Sequence, residues 1–316
     1  MLISLVIPCY NEEAALPFLY EALCDVRSSE LAFGNTFEFI FVNDGSRDNT
    51  SKVIKDLASS DKDVRYVFFS RNFGKEAAMY AGMEAARGEY IAILDADMQD
   101  PPSLIPDMIR SLDSGECDII AARRVTRKGE PKIRSFFARM FYKLINKMCD
   151  VEIADGARDF RLMRRPVVDA ILSMGERQRF SKGIFAWVGF RTKWVEHENV
   201  ERVAGETKWS FWKLFKYAVD GIVAFTIAPL RVATYTGMAL ALGAFGYMLY
   251  YFIKAIIGRI WTVNAGYPSL LCFILFIGGL VLMALGLIGE YIGRIYVETK
   301  ARPIYIKSED NLKQDT

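Results

Sequence analysis

The sequence holds one histidine, His197, among 316 residues. It stands between Glu196 and Glu198, a setting that suits a surface strand. Catalysis by a Ser-His-Asp or Cys-His relay and a histidine-rich metal site are both disfavoured. Cysteine is scarce: Cys9, Cys24, Cys117, Cys149 and Cys272 are scattered, with no CxxC pair. They read as thiols of a reducing compartment, not as a disulfide framework or zinc site. Neither sign of charge is in excess, since 40 Lys and Arg against 38 Asp and Glu leave a net +2. Binding to nucleic acid through bulk charge is therefore not expected. No GxGxxG follows the first apolar run and no GxxxxGK[ST] occurs, which disfavours a dinucleotide oxidoreductase and a P-loop NTPase. A basic n-region is missing too, because Met1-Leu2-Ile3-Ser4 runs straight into a strand pattern. The N-terminal domain is expected to stay in the cytoplasm.

What is present begins with five apolar, β-rich runs, at 4–8, 37–42, 64–70, 90–94 and 118–122. Helical patterns alternate with them at 12–27, 50–60, 75–87 and 102–114. The runs lack polar alternation, as strands do when both sheet faces are covered. The pattern predicts an α/β fold with a mostly parallel sheet covered by helices. Ligands of such sheets bind at the carboxyl ends of the strands. The segments just past four of the runs are polar: Cys9-Tyr10-Asn11-Glu12, Asn43-Asp44-Gly45-Ser46, Arg71-Asn72-Phe73-Gly74-Lys75 and Asp95-Ala96-Asp97.

The last third of the chain differs. Residues 232–253 and 269–289 carry no charge, and each run is long enough to cross a hydrocarbon core of about 30 Å as a helix. The connector carries only Lys254 and Arg259, whereas the outer flanks carry Lys213, Lys216, Arg231, Arg294, Lys300, Arg302 and Lys307. This bias predicts a multi-pass protein of the plasma membrane, with two transmembrane helices and both termini cytoplasmic. Basic, aromatic-rich stretches at 134–148 and 206–227 suit interfacial amphipathic helices. The expected division is a catalytic domain over 1–205, a juxtamembrane helix over 206–230, two spans within 231–294 and a tail over 295–316. Residues 307–316 are polar, and no structure is expected there. Gly289 and Gly293 in one run, and Ala239 and Gly243 in the other, permit close helix packing or a homo-oligomer.

Asp95-Ala96-Asp97 closes the apolar run Tyr90-Ile91-Ala92-Ile93-Leu94. Residues two apart on a strand share a face, so both carboxylates point one way. A cation is expected between them. A hard ion that also grips phosphate oxygens, Mg²⁺ or Mn²⁺, suits such a site. The tripeptide is common, and taken alone it reads first as a solvated acidic turn.

Four motifs in order carry a resemblance. They are Val6-Ile7-Pro8-Cys9-Tyr10-Asn11-Glu12, Asn43-Asp44-Gly45-Ser46-Arg47-Asp48, Asp95-Ala96-Asp97-Met98-Gln99-Asp100-Pro101-Pro102 and Asp159-Phe160-Arg161. The chain resembles glycosyltransferase family 2, in its polyprenyl-phosphate branch, related to dolichol-phosphate mannose synthase and bacterial undecaprenyl-phosphate glucosyltransferases. The resemblance implies a GT-A fold and an inverting, metal-dependent transfer of one sugar from a nucleotide-sugar to a lipid phosphate at the membrane. It implies that Pro8, Tyr10, Glu12, Val42 and Asp44 hold the nucleoside, and that Asp95, Ala96, Asp97 and Gln99 meet the diphosphate and its metal. It assigns Arg123, Lys182, Arg202 and Lys208 to the donor, and Arg134 and Arg161 to the acceptor phosphate. Asp159 matches the family's base, so Asp97, Asp159 and Arg161 form the expected catalytic set. A polyprenyl phosphate is largely dianionic near neutrality, however, and needs no proton removed before attack.

UDP-glucose is the expected donor, with UDP-N-acetylglucosamine, UDP-galactose and GDP-mannose as alternatives. Another lipid acceptor, or a non-catalytic scaffold homologue, would fit the same architecture. The Gln-x-x-Arg-Trp motif of processive relatives is not matched by Gln178-Arg179-Phe180-Ser181-Lys182, so one sugar per acceptor is expected.

Overall fold

The computed structural model describes residues 1–29, 34–124, 156–197, 228–257 and 267–312, with the single positions 154 and 226. The chain divides into two compact units. One comprises Met1–Gly221 with Arg302–Thr316, and the other Ile222–Ala301.

The first unit is built on a sheet of eight strands. β1 (Leu2–Cys9), β2 (Thr36–Asn43), β3 (Val64–Phe69), β4 (Tyr90–Ile93) and β5 (Ile119–Arg124) fall on the five expected apolar runs. Between them lie α1 (Leu16–Ser28), α2 (Thr50–Ser60), α3 (Lys75–Ala85) and α4 (Ile105–Asp113). Then come β6 (Ala157–Arg164), α5 (Arg165–Ser173), α6 (Ser181–Trp187), β7 (Thr192–His197) and β8 (Lys307–Asp310). The strand order is β7-β5-β6-β4-β1-β2-β3-β8. β1, β2, β3 and β4 are mutually parallel, while β6 runs against both β4 and β5. Ile3, Leu5, Val6 and Ile7 of β1 and Phe39, Ile40, Phe41 and Val42 of β2 are all fully buried. This burial on both faces explains the missing alternation.

Proline sets two boundaries that differ from the sequence pattern. α1 starts at Leu16, not at 12, with Pro17 in its first turn. The pattern at 102–114 divides into a 3₁₀ turn, Pro102–Leu104, and α4, each with a proline in its first turn. Proline is tolerated there because its missing N–H has no intrahelical partner to lose. The helix expected to reach 87 stops at Ala85, where the chain turns onto a buried polar group. Arg87 N donates to Glu38 Oε1 at 2.7 Å, and Gly88 N donates to Ser4 Oγ at 2.7 Å. Arg65 completes the group with a 2.7 Å bond to Glu38 Oε2.

The expectation that 307–316 lacks structure is overturned over part of its length. β8 pairs antiparallel with the edge strand β3, with Val67 opposite Asp310. Lys55 bonds Glu309 at 2.7 Å and Asn311 Oδ1 accepts from Tyr66 N at 2.7 Å. A strand so polar is invisible to a hydrophobicity pattern, because backbone ladder bonds and edge contacts define it.

The second unit contains α7 (Ala228–Ile257, 30 residues) and α8 (Tyr267–Thr299, 33 residues). Their apolar side chains face outward: Tyr235, Leu242, Phe245, Phe273, Leu282 and Ile292 are all exposed. Among the described residues, one segment, Phe276–Thr299, is long and apolar enough to cross a membrane. This count falls short of the two spans expected.

Candidate active site

Parallel strands bring the loops after β1, β2, β3 and β4 to one edge of the sheet, and side-chain to backbone bonds lace them together. Asn11 N donates to Ser46 Oγ at 2.9 Å, Arg47 N to Asn11 Oδ1 at 2.8 Å, and Glu12 N to Thr50 Oγ1 at 2.9 Å. Gly45 adopts φ +64°, and a Cβ there would collide with the backbone of Arg71 and Asn72. Only glycine lets these two loops approach so closely. Next to it, Asp44 accepts from Phe73 N at 2.6 Å and Gly74 N at 2.9 Å. Burial pushes the Asp44 carboxyl upward, and the two amides pull it back. Both Asp44 oxygens thus anchor the β3–α3 loop, and only 2% of the residue is exposed.

The antiparallel direction of β6 is decisive for the chemistry. Ile93 of β4 lies opposite Arg161, and the same register continued by two residues sets Asp95 across from Asp159. Lys75 Nζ stands between them, 2.6 Å from Asp95 Oδ1 and 2.5 Å from Asp159 Oδ2. Burial lowers the Lys75 pKa, but Asp159 and Asp95 outweigh it and hold the ammonium above its usual range. Burial pushes Asp95 up, Lys75 draws it down, and Asp159 pushes it up again. Asp159 goes the other way: against its burial, Lys75, Lys182 and Arg161 hold it well below the usual carboxylate range. Lys182, on α6, is half-buried and faces the same carboxylate.

Arg161 is only 3% exposed. Its Nε donates to Asp159 O at 3.2 Å, its Nη2 to Arg158 O at 2.8 Å, and its guanidinium lies 3.5 Å from the Phe185 ring centroid. Burial pushes it down to about 10. In this arrangement it braces the start of β6 and does not open toward a ligand.

Glu76 follows Lys75 and joins α3 to α6, accepting from Ser181 N at 3.0 Å and from Ser181 Oγ. Burial pushes its carboxyl up from 4.5 to about 7, against the lowering effect of Ser181. A folded pKa above the unfolded one means that the stabilising contribution is complete below about 4.5. It is lost as pH rises through about 7. Glu76→Gln is expected to remove that loss, on the order of 2 kcal/mol. Thermal unfolding of the full chain between pH 5 and 8 checks this: an unchanged pH slope in the variant would assign the loss elsewhere.

The turn after β4 is held from β6. Asp97 Oδ1 accepts from Gln99 N at 3.2 Å, and Met98 takes φ +56°. Arg158 donates from Nε to Asp100 Oδ1 at 3.0 Å and from Nη2 to Gln99 Oε1 at 3.0 Å. Asp100 is 1% exposed, so Arg158→Ala removes an ion pair from a buried carboxylate. The expected cost is about 3 kcal/mol, with the midpoint of thermal or urea unfolding as readout. A variant as stable as the parent would show that this pin contributes nothing.

The other expected residues are placed as follows. Pro8 pairs with Val42 across β1 and β2. Val42 is fully buried, and a Cβ on Gly82 of α3 would meet it, so only its backbone can face a ligand. Tyr10 and Glu12 are half-buried in the β1–α1 loop, and Ala96 is buried between the two aspartates. Arg123 lies near the end of β5, opposite Ala157 of β6. Arg134, Arg202, Lys208 and the segments 134–148 and 206–225 lie outside the described residues. Lys75, Glu76 and Arg158 were not among the residues singled out in the sequence. The signal for Lys75 was its place in a polar loop after a strand.

Among the described residues no three Asp, Glu, His or Cys side chains form a closed metal cage. Asp95 and Asp97 nevertheless fit Mg²⁺ or Mn²⁺. Such an ion is commonly bound by one or two carboxylates and completed by substrate phosphates. Asp95 and Asp159 flank Lys75, and Asp97 adds a second negative charge beside Asp95 on the same turn.

Comparison with known proteins identifies the family. Residues 4–172 match the glycosyl transferase family 2 model, and residues 228–295 match the GtrB C-terminal hairpin. CsbB of Bacillus subtilis (strain 168) is 45% identical over 314 residues, covering 98% of this chain and 92% of that protein. The prophage bactoprenol glucosyl transferase homolog of Escherichia coli (strain K12) is 44% identical over 97% of this chain and 98% of its own length. The bactoprenol glucosyl transferase of Shigella phage SfV is 43% identical over 99% of this chain and 100% of its own length. With a GT-A-like, mostly parallel sheet and an Asp-x-Asp turn at its carboxyl edge, the chain is a glycosyltransferase and belongs to glycosyl transferase family 2.

Proposed function

We propose that the chain transfers one glucose from UDP-glucose to the phosphate of a bactoprenol (undecaprenyl) carrier, with inversion at the sugar carbon, at the cytoplasmic face of the plasma membrane. The observation that carries this reading is the pairing of the Asp95–Asp97 turn with Asp159 through Lys75. A diphosphate-binding edge lies directly across from a carboxylate ringed by cations. The names of the relatives from Escherichia coli and phage SfV support glucose and bactoprenol.

In this reading a phosphate oxygen of the acceptor attacks the anomeric carbon, the carbon–oxygen bond to UDP breaks, and UDP leaves with the electron pair. Pro8, Tyr10, Glu12 and the Val42 backbone border the nucleoside, while Asp44 acts by fixing the β3–α3 loop. Asp95 and Asp97, with Gln99 beside them, would hold Mg²⁺ or Mn²⁺, and such an ion would supply positive charge for the diphosphate. Arg123 and Lys182, with Arg202 and Lys208, provide positive charge for the donor, and Arg134 for the acceptor phosphate. α7 and α8 both span the bilayer and place both termini in the cytoplasm, as the flanking lysines and arginines favour.

The test is transfer by the purified full chain in detergent, given undecaprenyl phosphate, Mg²⁺ or Mn²⁺, and labelled UDP-glucose, UDP-N-acetylglucosamine, UDP-galactose or GDP-mannose. Label is expected in the lipid from UDP-glucose, with loss on chelation and recovery on adding back either ion. Transfer from another donor overturns the sugar. Label on diacylglycerol or a polyprenyl diphosphate-linked glycan, and none on the monophosphate, overturns the acceptor.

A further inference from the structure

We infer that Lys75 binds the phosphate of the lipid acceptor, an assignment that rests on the polyprenyl-phosphate reading above. Three observations converge on it. First, the Lys75 ammonium joins the two sides of the site, touching Asp95 on the metal turn and Asp159 on β6. A group at that point lies between a diphosphate held at Asp95–Asp97 and whatever approaches Asp159. Second, the Lys75 side chain is 42% exposed although its ammonium meets both oxygens of Asp95 and one of Asp159, so an arriving phosphate would replace one of the Asp95 contacts among its three donors. Third, Arg161, assigned to the acceptor phosphate by resemblance, is 3% exposed and donates to the carbonyls of Arg158 and Asp159. Its charge is committed to holding β6. Lys75 is the cation beside Asp159 with most access, and Lys182 on α6 stands close enough to share the anion.

The arrangement gives Asp159 a definite part. It fixes Lys75 through a 2.5 Å ion pair, so the ammonium is preorganised and loses little side-chain freedom when a phosphate arrives. Lysine suits this task because its ammonium serves as a point charge that accepts several phosphate orientations, unlike the planar fork of arginine. An attacking phosphate oxygen must remain free to reach carbon, and a single-point contact to a different oxygen leaves it free.

The experiment measures binding of farnesyl phosphate and of farnesol to the full chain in one detergent, with UDP and Mg²⁺ present. The wild type is expected to prefer the phosphate over the alcohol. Lys75→Met is expected to lose that preference by about 10-fold or more, with UDP affinity retained. Lys75→Arg is expected to recover part of it. If the methionine variant does not fold, Lys75→Gln, which keeps a donor toward both carboxylates, gives the same comparison. A variant that keeps the wild-type preference overturns the role of Lys75 while leaving the acceptor reading intact. An equal loss of UDP binding makes Lys75 a donor-side or structural residue and likewise overturns it. A wild type that binds phosphate and alcohol equally removes the lipid-phosphate reading itself, and Lys75 with it.

Discussion

Asp97→Ala is expected to reduce sugar transfer by about 10³-fold or more while the protein stays folded in the membrane fraction. The size follows from losing one of two carboxylates that fix a divalent ion at the leaving diphosphate, where preorganised charge acts far more strongly than in water. The fold should tolerate the change, because Asp97 is half-buried in a turn that other contacts also hold. The Arg158–Asp100 pin would still hold the turn. Asp95→Ala is a less clean test, since it also releases Lys75 from its 2.6 Å ion pair. Transfer rates and thermal midpoints measured side by side separate the two effects. Full activity in Asp97→Ala would remove the metal site from the mechanism. Lost activity together with a collapsed midpoint would make Asp97 a structural residue.

The sequence displayed the strands whose side chains face apolar layers, since β1, β2 and β4 are nearly continuous runs of buried residues. It displayed the Asp-x-Asp turn because that motif is local. β6 stayed hidden for a physical reason. Ala157-Arg158-Asp159-Phe160-Arg161-Leu162-Met163-Arg164 mixes charged and apolar residues with no regular period, and Arg158, Asp159 and Arg164 are satisfied by ion pairs and carbonyls that lie elsewhere in the chain. Arg158 finds Asp100, and Asp159 finds Lys75, at separations of 58 and 84 residues. No short window contains such pairs. The direction of β6 was equally illegible, yet it alone turns Asp159 toward Asp95. β8 was missed because its partner is a backbone edge and not an apolar layer. Glu76, half-buried and bonded to Ser181 across 105 residues, looks in sequence like an ordinary acidic residue in the first turn of a helix.

Asp159→Asn is expected to reduce transfer less than Asp97→Ala does, by about 10- to 100-fold. Most of the loss should fall on the KM for the lipid. A general base works best with a pKa near the working pH, and Asp159 is held far in the opposite direction by Lys75, Lys182 and Arg161. It stays ionised across the range in which the enzyme would be assayed, so it has little tendency to take a proton. The acceptor has none to give above its second phosphate pKa of about 6. What Asp159 supplies is position, through the 2.5 Å pair that aims Lys75, and an amide retains a hydrogen-bond acceptor for that ammonium. The pH dependence discriminates between the two roles. If Asp159 positions Lys75, the acid limb of the rate follows the acceptor phosphate, at about pH 6, in parent and variant alike. If it is a base, the variant falls at least as far as Asp97→Ala, in kcat and not in KM, and its pH profile changes shape. Equal kcat losses in Asp97→Ala and Asp159→Asn would therefore overturn the positioning role and restore proton transfer to the mechanism.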